Sequence, residues 1–127
     1  RIDSVRTFFA ERRSPLERYS KDFVRLADQN RLDWRLLPSL AAVESSAGLH
    51  YRNHNVFGWN NGNAKFRSVA HGIAVVANRL AHAPIYRAKT TEQKLFVYNP
   101  RRAYVRTVLN LMASIRQPDL DPTQVSR

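Results

Sequence analysis

The sequence predicts a mainly α-helical single domain. Its 127 residues suit one domain with one hydrophobic core. Apolar residues recur three and four positions apart over most of the chain, as they do on the buried faces of helices. Helix-start signals such as Ser14-Pro15 and Asn99-Pro100 precede several of these stretches. We therefore expect five or six short helices in a domain of residues 1–116, followed by a flexible tail at 117–127.

The first two helices are predicted from apolar spacing and from one strong capping signal. Residues 4–13 place Val5, Phe8 and Phe9 on one face. Ser14 then begins the second helix, because Pro15 suits the first helical position and Glu17 completes a capping box. This second helix is expected to run to about residue 30.

The third helix carries the first candidate for chemistry. Asp33 is expected to cap it, Trp34 to begin it, and Gly48 to end it. Pro38 lies close enough to its start to be tolerated. The last part of this helix contains Glu44, between small and apolar neighbours.

An irregular stretch follows at residues 48–66, which is rich in Asn and contains two His and three Gly residues. The pair Asn61-Gly62 is a turn signal, so residues 56–59 and 64–67 could form a small β-hairpin; an irregular loop is the alternative. His50 and His54 are four residues apart, but no third ligand is evident, so no metal site is predicted.

Three helices are predicted after this stretch. Ser68 caps one that runs to about residue 82. A short helix begins at Thr90 or Thr91 and holds Tyr98. The last helix follows Asn99-Pro100, with Tyr104 among its inward-facing residues.

Glu44 is the carboxylate in the most unusual surroundings. Burial among apolar neighbours disfavours its charged form, and a position near a helix C-terminus faces the negative end of the helix dipole. Both effects raise the pKa of a carboxyl group, which then holds a proton near neutral pH and can deliver it to a leaving oxygen. A solvated or arginine-paired glutamate is the alternative.

The segment after Glu44 has the composition of a sugar-binding surface. From Ser45 through Thr91 the chain contains no Asp or Glu. Asn side chains both donate and accept hydrogen bonds, which suits hydroxyl and acetamido groups. Tyr51, Phe57 and Trp59 offer flat apolar faces to a sugar ring. A turn-rich loop with core aromatics is the alternative interpretation.

Four short motifs occur in a characteristic order: Glu44-Ser45-Ser46, then Asn55-Val56-Phe57-Gly58-Trp59, then Phe66 with Ser68 before a helix, and finally Tyr98-Asn99-Pro100. In this order the chain resembles the lysozyme-like superfamily over residues 16–115. It is closest to lytic transglycosylases and to the glucosaminidase-type domains of bacterial autolysins. The resemblance implies a lysozyme-like helical domain with a small β-hairpin or irregular loop beside the cleft. The implied activity is cleavage of the β-1,4 bond between N-acetylmuramic acid and N-acetylglucosamine.

The resemblance also implies roles for individual residues. Glu44 matches the catalytic acid, and the serine beside it in those families is implicated in substrate contacts. No metal and no cofactor is expected. The predicted substrate-binding residues are Ser45, Ser46, Asn55, Phe57, Gly58, Trp59, Tyr98 and Asn99.

The chain departs from these families in two places. The Gly-Leu-Met-Gln run of many soluble lytic transglycosylases is replaced by Asn-Val-Phe-Gly-Trp. Glucosaminidase-type members often carry a second acid in a hairpin after the helix, and residues 45–91 offer none. Asp33 lies about 16 Å from Glu44 along the helix axis, too far for a catalytic pair. Glu92 stays open as a second acid.

A single carboxyl group favours a substrate-assisted mechanism. Glu44 protonates the glycosidic oxygen, while the 2-acetamido group of the sugar stabilises the developing positive charge. In a lytic transglycosylase the Glu44 carboxylate next takes the proton of the 6-hydroxyl, whereas in a hydrolase water attacks. Tyr98 is expected to hydrogen-bond Glu44 or the acetamido group, or else to be a core residue.

The formal charge of +11 predicts a polyanionic partner. We expect peptidoglycan strands and the anionic cell envelope, hence a periplasmic or secreted location. No nucleic acid is expected, because the arginines are spread over most helices and segment 48–66 is too long for a helix-turn-helix turn. A basic nucleic-acid-binding domain and a non-catalytic wall-binding module remain the alternatives. No apolar run is long enough for a transmembrane segment.

Overall fold

The computed structural model describes residues 1–117, which form six α-helices and one 3₁₀ helix. The helices are α1 (Ile2–Glu11), the 3₁₀ helix (Pro15–Tyr19), α2 (Ser20–Gln29), α3 (Leu36–Ser45), α4 (Val69–His82), α5 (Thr91–Tyr98) and α6 (Arg102–Ser114). The predicted mainly α class is confirmed for this part of the chain. A flexible tail was expected at residues 117–127, and all of it except Gln117 lies outside the described residues. Within residues 1–117 no helix is long and apolar enough to cross a membrane.

Helix α3 forms the centre of the domain. Leu36, Leu37, Leu40 and Ala41 are all at most 1% exposed, and a helix that is apolar around most of its circumference is stable only when covered. It packs against α2 and α6, while α2 also packs against α1 and α4. The last turn of α3 reaches the surface, and Glu44 lies in that turn.

The second predicted helix starts differently from the expectation. Ser14 does cap it, but its hydroxyl accepts from the backbone N–H of Leu16 at 3.0 Å and donates to the carbonyl of Ala47. The capping box with Glu17 is therefore wrong, and the first turns are a 3₁₀ helix that only becomes α-helical at Ser20. The long-range bond to Ala47 ties this start to the end of α3.

Both ends of α3 depend on side-chain and backbone detail. Asp33 accepts a hydrogen bond from the Arg35 N–H at 2.9 Å, so the helix begins at Leu36 and not at Trp34. After Ser45 the backbone takes three consecutive left-handed residues, with φ of 51°, 56° and 80° at positions 46–48. At Gly48 a Cβ atom would lie 2.6 Å from Leu16 Cγ, so only glycine fits this turn.

The segment between α3 and α4 is an irregular loop. The β-hairpin considered for residues 56–67 is not confirmed, since residues 1–117 contain no strand. The side chain of Asn55 accepts from the Trp59 N–H at 2.8 Å and donates to the Trp59 carbonyl at 2.9 Å. These bonds occupy the backbone groups that a strand ladder would need. The loop is held against α4, where a Cβ on Gly72 would lie 2.8 Å from the Phe66 ring.

Candidate active site

Glu44 is the penultimate residue of α3, and its half-buried side chain points into a surface groove. The hydroxyl of Tyr104, from α6, donates a hydrogen bond of 2.6 Å to Glu44 Oε2. Because α3 packs on α6, two residues 60 positions apart are held as a fixed pair. The carboxyl group therefore has a defined orientation at the groove floor.

The pKa of Glu44 is raised above the ordinary glutamate value. Desolvation by burial is the larger cause, because it penalises the charged carboxylate. The Tyr104 hydroxyl acts in the opposite direction, since a donated hydrogen bond favours the ionised form. Burial outweighs the hydrogen bond, so the direction expected from the sequence is confirmed.

The groove consists of two adjoining depressions with volumes of about 820 and 680 Å³. Glu44, Gly58, Asn61 and Gly62 line both of them, so these residues form the shared boundary. A groove with its acid at the midpoint leaves room for ligand on both sides. An enzyme that attacks a bond in the middle of a polymer needs this arrangement, whereas a small molecule can be held in one pocket.

One depression has an aromatic wall. The Trp59 ring centre lies 5.6 Å from that of Tyr98 and 6.1 Å from that of Tyr86, and Tyr98 stacks nearly parallel to Tyr104 at 6.3 Å. Burial raises the pKa of the Tyr86, Tyr98 and Tyr104 hydroxyls, so all three stay neutral. We refer to this side of the groove, which also contains Arg79, as the aromatic half.

The other depression is polar and basic. It is lined by Asn53, Asn55 and Asn63, together with Arg52 and Lys65. We refer to it as the basic half. The Asn55 amide is occupied by the Trp59 backbone. The exposed amides of Asn53 and Asn63 can both donate and accept, which suits sugar hydroxyl and acetamido groups.

Gly58 brings the loop backbone up to the acid. Its φ is +60°, a left-handed conformation, and a Cβ there would lie 3.2 Å from Glu44 Oε1 and 3.7 Å from Glu44 Cβ. The Asn55 side chain fixes this turn through the two bonds to Trp59 described above. Glycine thus provides both the backbone conformation and the space beside the carboxyl group.

Five of the predicted substrate-binding residues line the groove: Asn55, Gly58, Trp59, Tyr98 and Asn99. The structure does not bring the others there. Phe57 is fully buried and packs edge-on against Phe23. Ser45 is 2% exposed, and its hydroxyl donates to the Ala41 carbonyl and accepts from the Gly48 N–H.

Ser45 and Phe57 therefore support the site from beneath. Ser45 holds the left-handed turn directly after Glu44, and Phe57 anchors the loop that carries Gly58. Ser46 is exposed at the end of α3 and does not line the groove.

Of the roles considered for Tyr98, the hydrogen bond to Glu44 is not present, and the alternative of a residue packed against the core agrees with the structure. The Tyr98 hydroxyl donates to the Phe57 carbonyl, so it clamps α5 to the loop. Tyr104 makes the bond to Glu44 instead. Sequence reasoning had placed Tyr104 only on the inward face of the last helix. Arg79 and Tyr86 were also missed as groove residues, because no local motif marks them.

Among residues 1–117, Glu44 is the one carboxylate that lines the groove. Glu92 is exposed in the first turn of α5 and lines a different depression, between α5 and α6. Asp33 is ion-paired with Arg35 at the far end of α3. The described part of the chain also contains no group of three or more side chains that could hold a metal ion.

Comparisons with protein-family models, curated proteins and solved structures gave no significant match to this chain. Functional interpretation therefore rests on the groove and its carboxyl group.

Proposed function

We propose that this chain cleaves the glycan strands of bacterial peptidoglycan, with Glu44 as its general acid. The proposal rests chiefly on one observation: a half-buried carboxyl group with a raised pKa lies at the midpoint of an extended groove. A carboxyl group with a raised pKa holds its proton to higher pH, as the proton donor in glycosidic bond cleavage must. The bond attacked is the β-1,4 linkage between N-acetylmuramic acid and N-acetylglucosamine, on the strength of the lysozyme-like motif order.

The first step uses the proton of Glu44. That proton passes to the glycosidic oxygen as the carbon–oxygen bond breaks, and the departing sugar leaves with a free hydroxyl. The carbonyl oxygen of the 2-acetamido group attacks the sugar carbon and takes up the positive charge. The lack of a second carboxylate in the described groove lining supports this substrate-assisted step over a two-acid mechanism.

The second step uses the carboxylate left behind. Glu44 accepts a proton either from the 6-hydroxyl of the same sugar or from water. The deprotonated oxygen then attacks the sugar carbon as the bond from that carbon to the acetamido oxygen breaks, which restores the neutral acetamido group. The first route gives a 1,6-anhydro sugar, as in a lytic transglycosylase, and the second gives a reducing end. The Tyr104 hydroxyl stabilises the carboxylate between the two steps and keeps Oε2 in place.

The walls of the groove suit an N-acetylated glycan. The Trp59 ring presents an apolar face next to Tyr86 and Tyr98, on which a pyranose ring can stack. The amides of Asn61 and Asn99 lie along the same groove and match hydroxyl and acetamido groups. Because peptidoglycan lies outside the cytoplasm, the proposal includes a periplasmic or secreted location.

Release of soluble fragments from purified peptidoglycan tests the proposal. We expect Glu44→Gln to retain the fold and to lose activity by at least about a hundredfold, the usual size of a general-acid contribution. Glu92→Gln is the matched control, because it removes an exposed carboxylate outside the groove. Full activity in Glu44→Gln, or equal losses in both variants, would refute the assignment.

Mass spectrometry of the released fragments separates the two second steps. An anhydro product is lighter by one water than the corresponding reducing-end product. Either product supports Glu44 as general acid, whereas a wild-type protein that binds peptidoglycan without releasing fragments is a wall-binding module.

A further inference from the structure

We propose that the basic half of the groove binds carboxylate groups carried by the glycan strand, through Arg52 and Lys65. The protein would thereby select peptidoglycan strands over neutral strands of N-acetylglucosamine. This inference rests on the proposed function and specifies the class of strand that the same groove accepts.

The first observation is that neither Arg52 nor Lys65 forms an ion pair within residues 1–117. The structure shows ion pairs on α1, α2 and the turn before α3, namely Arg1–Asp28, Arg6–Asp3, Arg25–Asp22 and Arg35–Asp33. Arg52 and Lys65 are exposed and line the basic half, where Glu44 is the one acidic side chain among the described lining residues. The basic half therefore carries two positive charges that none of these ion pairs neutralises.

The second observation is that this charge does not act on the catalytic carboxyl group. A cation close to Glu44 would favour its ionised form and lower its pKa. The pKa of Glu44 is instead governed by burial and by the Tyr104 hydroxyl. Arg52 and Lys65 are thus available to a ligand, and the groove carries them without a lowered pKa at Glu44.

The ligand chemistry follows from these charges. Neutral N-acetylglucosamine needs amides and aromatic faces, and the groove already supplies both. A cation adds affinity only where the ligand bears negative charge, and Arg or Lys bonds to carboxylates are stronger than neutral hydrogen bonds. In peptidoglycan that carboxylate belongs either to the lactyl group of N-acetylmuramic acid or to the stem peptide attached to it.

Binding to three strands tests the inference and separates the two carboxylate sources. The probes are peptide-bearing glycan strands, strands stripped of peptide by an amidase so that only lactyl carboxylates remain, and N-acetylglucosamine oligosaccharides of similar length. Measurements use the Glu44→Gln protein, so that binding is observed without cleavage. We expect it to prefer peptide-bearing strands to the neutral oligosaccharide.

The decisive variant adds Arg52→Gln and Lys65→Gln. We expect about fivefold to tenfold weaker binding of carboxylate-bearing strands, as for two exposed charge contacts, and unchanged binding of the neutral oligosaccharide. Lys21→Gln with Arg31→Gln is the control, since it removes the same charge from exposed sites outside the groove. If the stripped strands keep the preference, the lactyl group is the ligand; if they lose it, the stem peptide is.

Two results would overturn the inference. One is equal binding of neutral and carboxylate-bearing strands by the Glu44→Gln protein. The other is an equal loss of binding in the groove variant and in the control, which would reflect net charge alone. Neither result bears on the proposed function, which is tested separately by whether the wild-type protein cleaves peptidoglycan and Glu44→Gln does not.

Discussion

Gly58→Ala tests how closely the loop backbone defines the environment of Glu44. The added methyl group would lie 3.2 Å from Glu44 Oε1, closer than ordinary van der Waals contact. The loop turn is fixed by the Asn55 side chain, so the carboxyl group is the part that must move, by a few tenths of an ångström. The hydrogen bond to Tyr104 would be stretched by that movement.

Gly58→Ala should have a small effect on folding stability and a measurable effect on activity. An alanine at φ +60° costs about 1–2 kcal/mol. That is a fraction of the roughly 5–15 kcal/mol by which domains are stable, so the variant should stay folded at 25 °C. Displacing a catalytic group by about 1 Å can cost about a hundredfold in rate. For the smaller movement here, we expect a loss of about tenfold in fragment release.

Gly62→Ala provides the matched control. Gly62 has φ +80° and also lines the groove, but a Cβ there meets no atom within 4 Å. We expect a similar loss of stability in denaturant unfolding and a much smaller loss of fragment release from purified peptidoglycan. Wild-type activity in Gly58→Ala, or equal losses of activity in the two variants, would refute this explanation of the close approach.

Three further predictions follow from the same contacts. Tyr104→Phe removes the hydrogen bond that favours ionised Glu44, so the alkaline limb of the pH–activity profile should move to higher pH. Tyr98→Phe should leave that limb in place, because the Tyr98 hydroxyl bonds to the Phe57 carbonyl. Because folding raises the pKa of Glu44, the protonated side chain favours the folded state at acid pH. That contribution to stability is lost as the pH rises through the pKa of Glu44 in the folded protein. Glu44→Gln should therefore melt at a higher temperature than wild type at pH 7 and show no such advantage near pH 3, measured by circular dichroism. Gly48→Ala should lower the free energy of unfolding by about 2–4 kcal/mol, because it combines a strained φ of +80° with a Cβ placed 2.6 Å from Leu16 Cγ.

Local sequence signals predicted the helices well. The third helix was expected from Trp34 to about Gly48 and spans Leu36–Ser45, because the Asp33 side chain forms a turn before the helix begins. The capping box was assigned to the wrong helix. Ser14 is diverted by the distant Ala47 carbonyl, whereas Thr90 forms a complete box with Gln93 at the start of α5.

The site was predicted where chemistry follows from local composition. Glu44 was identified because small and apolar neighbours near a helix end predict a desolvated carboxyl group, and the structure gives the raised pKa. Tyr104 could not be identified in this way. Its role depends on the packing of α6 on α3, which joins residues 60 positions apart.

The loop was harder to predict because its residues serve two purposes. Asn55 and Phe57 were both expected to contact substrate. The Asn55 side chain forms its hydrogen bonds with the Trp59 backbone, and Phe57 is buried in the core. A polar or aromatic side chain in a turn looks the same in sequence whether it faces a ligand or holds the turn that presents one.

The most direct test of the central claim is an NMR titration of the Glu44 side-chain carboxyl carbon, compared with the pH dependence of peptidoglycan cleavage. We predict that Glu44 titrates above the ordinary glutamate value of about 4.3 and that cleavage falls along a single alkaline limb with the same midpoint. An ordinary midpoint for Glu44, or cleavage that continues undiminished once this carboxyl group is ionised, would contradict its role as the proton donor.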